Sequence, residues 1–321
     1  MIEKIGKGNI SAKIIADSIN EKGVRITTFE IMFPRWILSE INTHRVFSRN
    51  SFSSRAFPIS KMIDLVKEQP AMPIHWGKNQ SGMQAKEELD YDKTTEAIDT
   101  WLLACGNAII SANMLNELGL HKQVVNRLLE PFQMMKTIVT ATSFDNFFAL
   151  RYHSDAQPEI HELARTMLLC YTESEPELLQ PGEWHTPYVN HERDEKRELK
   201  YYVIDYDTTG TEADDKSYYQ YLTLEEALKV SCSCCAQVSY RKLDDSIEKA
   251  LTIYDKLVGS EPKHSSAFEH CATPIGNVKE NSKGITHQDI KGNYWSGNFK
   301  EWIQYRQLIP GHVCEHFLLK E

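Results

Sequence analysis

No uninterrupted apolar run in this chain approaches the ~18 residues that a membrane helix needs, so no membrane association is expected. The opening residues, Met-Ile-Glu-Lys-Ile-Gly-Lys, lack the apolar core and cleavage site of a secretory signal, and a cytoplasmic location is the expectation. Net positive charge is missing too. The formal charge is −9, which argues against a long nucleic-acid polymer as partner, because such binding draws on dense Lys and Arg. A small phosphorylated ligand in a local basic pocket remains compatible with that balance. Seven cysteines are present, but the chain is large and shows no secretory signal, so reduced thiols are expected rather than a disulfide framework. The cluster Cys232-Ser-Cys-Cys235, with His264, His270 and Cys271 downstream, invites a zinc reading. Its spacing suits small buried side chains on a helix better, and no metal is expected. Internal repeats, low-complexity linkers and a clear domain boundary are also lacking, so residues 1–321 are read as one domain.

What is present reads as an α+β protein. Residues 24–33 are rich in β-branched and aromatic side chains and are closed by Pro34, which predicts a strand. Trp36, Ile37, Ile41 and His44 recur at helical spacing and lead into a polar stretch at 42–55. Pro58 and Ser60 open another helix. A helical period runs through 93–118, with Gly119 as its C-cap. A helix near 121–131, a strand at 134–142, helices at 156–173, 223–236 and 243–258, and a strand near 299–307 complete the pattern. The charged, weakly patterned residues 189–218 read as an exposed excursion or lid. Trp184-His-Thr-Pro-Tyr188 reads as a buried turn in preference to a lid over a ligand.

The stretch Asn42-Thr-His-Arg-Val-Phe-Ser-Arg-Asn-Ser-Phe-Ser-Ser-Arg55 holds Arg45, Arg49 and Arg55, four serines, two asparagines and His44, and no acid. In an acidic protein this is a local inversion of charge. Guanidinium groups grip phosphate bidentately, and short hydroxyls and backbone N–H groups fill its remaining acceptor sites. Composition alone leaves open a solvated basic loop, or an RNA-binding surface that stacks bases on Phe47 and Phe52. The overall acidity disfavours the RNA-binding surface.

The order of the residues points further. His44-Arg45, Ser48, Asn50, Ser53 and Arg55 resemble the signature of the flavin-dependent thymidylate synthases, an Arg-His-Arg tripeptide with a Ser downstream. Arg127-Leu-Leu-Glu-Pro131 resembles that family's Arg-x-x-Leu-Pro element, with Glu130 in place of Leu. Asn146-Phe-Phe-Ala-Leu-Arg151, followed by Ser154, Ala156, Gln157, Glu159 and Ile160, resembles a third element. Val238-Ser-Tyr240, a helix and His264-Ser-Ser-Ala-Phe-Glu-His270 resemble the family's opening element, displaced to follow the signature as a circular permutation would displace it.

The resemblance implies a small mixed or antiparallel sheet flanked by long helices, assembled as a homotetramer with sites between subunits. It implies FAD contacts from His44, Arg45, Asn50, Asn146, His264, Ser266 and Glu269. It implies dUMP contacts from Glu40, Ser53, Arg55, Arg127 and Arg151, with His44, Arg45 and Ser53 at the chemistry. It also implies methylenetetrahydrofolate as carbon donor and NADPH as reductant, giving dTMP. Ordinary thymidylate synthases activate uracil with a cysteine thiolate, and none of the seven cysteines here sits in a setting like theirs. Departures gather around the base and ring. Thr43 replaces the first signature Arg, Ser51 a usual Glu and Glu40 a common Gln; Asp155 stands where His is frequent, with His153 nearby, and Thr140 and Thr142 replace polar flavin contacts. They keep open a second product, 5-hydroxymethyl-dUMP, in which water in place of hydride captures the exocyclic methylene.

Overall fold

The protein is described by a computed structural model covering residues 2–204, 219–238, 247–261, 263–278 and 283–315. Its centre is a mixed six-stranded sheet. The strands are β1 (Glu3–Ile5), β2 (Ser11–Ile19), β3 (Arg25–Pro34), β4 (Ser48–Ser51), β5 (Met134–Ala141) and β6 (Glu177–Leu178). They lie in the order β1-β2-β3-β5-β4, all antiparallel, and β6 pairs β2 in parallel. The β3–β5 register runs from Thr27 opposite Ala141 to Pro34 opposite Met134. Pro34 sits at the strand end, where its missing N–H costs the ladder nothing. The polar stretch therefore contains a strand, β4, at the sheet edge, with Ser48 opposite Thr140 and Ser51 opposite Thr137.

Alternation along β3 divides the molecule. Phe29, Ile31 and Phe33 join one core cluster with Leu163 and Met167 of α6 (Pro158–Glu173). That cluster also takes buried side chains from α2 (Ile59–Glu68), α3 (Tyr91–Glu117) and α5 (Asp145–Arg151). Truncating a fully buried aromatic such as Phe29 to Ala typically costs about 3–5 kcal/mol. A second cluster lies in the C-terminal half, around Trp184, Val230, Tyr254 and Phe268. There α7 (Leu224–Ala236) packs on α8 (Ile247–Gly259).

Most expected elements are present. Short α1 (Leu38–Ile41) enters the polar stretch, and α3 is capped by the Asp90 side chain and closed by Gly119 at φ +78°. A capping box between Thr223 and Glu226 starts α7. The helix expected at 243–258 is seen from Ile247; its first residues, like Ser239 and Tyr240, lie outside the described set.

Three expectations are corrected. The helix near 121–131 is a single turn, α4 (Lys122–Val125), followed by a 3-10 segment over Asn126–Phe132, where Pro131 lacks the N–H that a regular helix would use. The strand near 299–307 is broken. Glu301 takes φ +58° between β13 (Phe299–Lys300) and β14 (Trp302–Gln304), and a 3-10 turn follows at Tyr305–Leu308. The excursion at 189–218 is in part an ordered sheet of β7 (Asn190–Arg193), β8 (Leu199–Ile204) and β9 (Tyr219–Leu222). Tyr201 of β8 is buried and accepts a hydrogen bond from the Trp184 N–H at 2.9 Å. Residues 205–218 of that expectation lie outside the described set. The remaining strands are β10 (Ala272–Pro274), β11 (His287–Gln288) and β12 (Tyr294–Ser296); β10 pairs β14, and β11, β12 and β13 form a small sheet. Trp184 and His185 are buried, as expected for a turn in the core.

Candidate active site

The polar stretch wraps the sheet edge, and three groups of side chains meet it. The first gathers around Arg151 at the end of α5. Its Nε donates to His44 Nε2 at 3.0 Å, its Nη1 meets Glu40 Oε2 at 2.9 Å, and its Nη2 donates to Thr43 Oγ1 at 3.2 Å. The buried His44 ring stacks on Phe47 and meets Phe147 edge-on. Burial, then the charges of Arg151 and Arg49, push His44 down to about 4. It is therefore a neutral imidazole at pH 7, with its Nε2 lone pair already engaged. Thr43, which replaces the family's arginine, serves as one of the acceptors that fix Arg151.

The second group lies where β4 meets the 3-10 turn Ser265–Glu269. Asn50 donates to the Cys235 carbonyl at 3.0 Å, tying the edge strand to α7. Arg49 donates to the Ile41 carbonyl at 2.9 Å; burial lowers its pKa, and the nearby Glu269 carboxylate partly opposes that. Glu269 also pairs with Arg306. His264 and Ser266 are exposed on the same turn and its cap. The element read as displaced along the chain thus returns to the signature strand in space.

The third group surrounds Ser54. Asn126 Nδ2 donates to the carbonyls of Ser54 and Phe57 at 2.8 and 3.0 Å, pinning this end of the stretch against the segment that bears Arg127. Glu130 Oε1 accepts from Ser54 Oγ at 3.0 Å and from Arg127 at 2.7 Å, and meets Arg35 at 2.9 Å. Ser53 is half-buried beside them, and Arg55 is exposed.

The four arginines expected to act together are treated differently. Arg127 and Arg151 are paired with acids. Arg45 and Arg55 are exposed and have no ion-pair or hydrogen-bond partner among the described residues. Asn146 is exposed on α5.

A buried chain of hydrogen bonds was not legible in the sequence. Ser18 Oγ meets His185 Nδ1 at 2.9 Å, and His185 Nε2 meets Thr28 Oγ1 at 2.8 Å. Thr28 meets Thr140 Oγ1 at 2.7 Å, and Thr140 meets His270 Nδ1 at 2.8 Å. All five side chains are essentially inaccessible, and burial pushes both histidines down to about 3. Thr140 is thereby committed inside the protein. Thr142 accepts from the Lys300 N–H at 2.9 Å. Cys232 and Cys271 place their sulfurs 3.8 Å apart, both buried. No group of three or more His, Cys, Asp or Glu side chains able to hold a metal is found among the described residues. No helix among the described residues is long and apolar enough to cross a membrane.

Residues 25–177 match the family described as thymidylate synthase complementing protein. That segment runs from β3 to β6 and carries the signature stretch, Arg127 and Arg151. No curated protein matches the sequence. Among solved structures, the UMP/dUMP methylase PolB from Streptomyces cacaoi bound with 5-Br dUMP is similar at 15% identity and a TM-score of 0.44, over 51% of this chain and 90% of that one. The same methylase bound with 5-Br UMP gives 14% identity and a TM-score of 0.42, over 51% and 89%. The likeness at 238–270 lies outside the matched segment.

Proposed function

We propose that the protein transfers a one-carbon unit from methylenetetrahydrofolate to carbon 5 of dUMP, giving dTMP, with FAD as bound cofactor and NADPH as reductant. The observation that carries this reading is the pair Arg45 and Arg55. Both are exposed and without a hydrogen-bond or ion-pair partner among the described residues, on an acid-free stretch inside the segment that matches the family. Free guanidinium groups beside short hydroxyls form a donor set suited to the phosphates of a nucleotide and of FAD. When bound, the flavin supplies the hydride that completes the methyl group.

The chain's own residues bind and orient. Arg45, His44, Asn50 and Asn146 hold the flavin, joined by His264, Ser266 and Glu269 from the displaced element. Ser53, Arg55 and Arg127 take the nucleotide phosphate, while Glu40 and Arg151 address the pyrimidine side. Held at a fixed position by Glu40, Thr43 and His44, the Arg151 guanidinium stabilises negative charge developing on the pyrimidine. Neutral His44 contributes orientation: its ring is fixed by Phe47, Phe147 and Arg151.

A homotetramer that brings copies together at shared sites completes the proposal. The hydroxymethyl product is the second reading, favoured by Thr140, whose hydroxyl is spent on Thr28 and His270. Mass analysis of the nucleotide formed from dUMP, methylenetetrahydrofolate and NADPH is expected to show dTMP. A product heavier by one oxygen selects the second reading, and unchanged dUMP contradicts both.

A further inference from the structure

Glu130 stands where the resembled element carries Leu, and the structure shows what it does. A single carboxylate oxygen, Oε1, gathers Ser54 Oγ, Arg127 Nη1 and Arg35 Nη2 at 3.0, 2.7 and 2.9 Å. Two guanidinium groups and a hydroxyl aimed at one anionic oxygen form the donor arrangement by which proteins hold phosphate. Ser54 is buried and its carbonyl is fixed by Asn126, so this part of the arrangement is rigid. The Arg127 side chain is 52% exposed and free to turn outward. The exposed Arg55 follows Ser54 directly in the chain.

We propose that Arg35, Ser54 and Arg127 form a cradle for a phosphate monoester, and that Glu130 is a resident carboxylate which the phosphate must displace. This rests on the nucleotide reading above and adds Arg35, Ser54 and Glu130 to it. A phosphate monoester carries a charge of about −1.5 to −2 at pH 7 and three strong acceptor oxygens. It outcompetes one carboxylate for these donors, whereas a singly charged anion gains little over Glu130. The cradle therefore selects dianions, and Glu130 sets the threshold. Like-charge repulsion between Glu130 and the arriving phosphate keeps the affinity of the native chain below what the donors alone would give.

Calorimetric titration of the full-length protein with inorganic phosphate, and separately with dUMP, tests this. Glu130→Gln keeps the shape and an acceptor oxygen but removes the charge, and is expected to bind both probes at least tenfold more tightly. Arg35→Ala is expected to bind both at least tenfold more weakly. Unchanged or weaker binding by Glu130→Gln overturns the proposal, because Glu130 would then serve to orient the arginines. Normal binding by Arg35→Ala overturns it as well, and decides the matter alone if Glu130→Gln does not fold. Tighter phosphate binding in Glu130→Gln with no dUMP binding in any variant keeps the cradle and removes the nucleotide reading. Tight dUMP binding indifferent to both substitutions does the reverse.

Discussion

Arg45 and Arg55 are exposed on the signature stretch without a hydrogen-bond or ion-pair partner among the described residues, whereas Arg151 is built into the structure through Glu40, Thr43 and His44. The consequences of removing each differ accordingly. Arg55→Ala breaks no hydrogen bond or ion pair among the described residues and is expected to leave stability within about 0.5 kcal/mol while abolishing dUMP binding. Normal dUMP binding in that variant would show the phosphate assignment to be wrong. Arg45→Ala is expected to weaken flavin retention with the fold intact, which flavin occupancy after gel filtration measures; full occupancy would count against its role. Arg151→Ala strands the half-buried Glu40 and the buried His44, and is expected to cost about 1–3 kcal/mol in urea unfolding. Stability equal to the parent would contradict that. The stretch itself was legible because a run of Arg, Ser and Asn without acid stands out in an acidic chain. The Glu130 clamp was not, since only Arg127 is near it in sequence; Arg35 and Ser54 arrive through the fold.

At the scale of elements, β-branched and aromatic richness gave β3, and helical period with the Gly119 cap gave α3, nearly as they stand, and the expected strand at 134–142 and helix at 223–236 match β5 and α7. The failures have local causes: Pro131 inside a helical period, Glu301 in a left-handed conformation, and a charged surface that conceals the buried Tyr201 of β8. The buried chain from Ser18 to His270 joins residues more than a hundred positions apart, so no spacing announces it. It tethers the central sheet, through Thr28 and Thr140, to the segment that precedes β10. Thr140→Val would leave both Thr28 and His270 short of a partner, at about 1–3 kcal/mol by urea unfolding; a neutral effect would contradict the chain's role. The histidines also set a pH dependence. Each falls from the ordinary 6.5 to about 3 on folding, so between those values the unfolded chain binds more protons. Stability is thus fully present above pH 6.5 and declines as pH falls toward 3. Thermal melts at pH 7.5 and pH 5 are expected to show the lower midpoint at pH 5, and equal midpoints would argue against buried neutral histidines.

For the whole molecule, α3 is the conspicuous surface. Its inner face buries Cys105, Ile109 and Ala112, while Leu103, Ile110 and Met114 are at least 59% exposed on the helix and Leu118 beyond it is 81% exposed. An apolar stripe of this length is a costly thing to leave in water. Ile110→Glu with Met114→Glu is expected to lower the assembly state measured by light scattering, and an unchanged mass would remove α3 from the assembly interface.

The central claim is that this chain works with a flavin on a deoxyuridylate nucleotide. An absorbance spectrum of the purified protein tests it most directly. The account predicts a flavin band that bleaches with NADPH and returns on adding dUMP and methylenetetrahydrofolate together. A preparation that stays colourless after incubation with FAD, or a bleached band indifferent to both substrates, would contradict it.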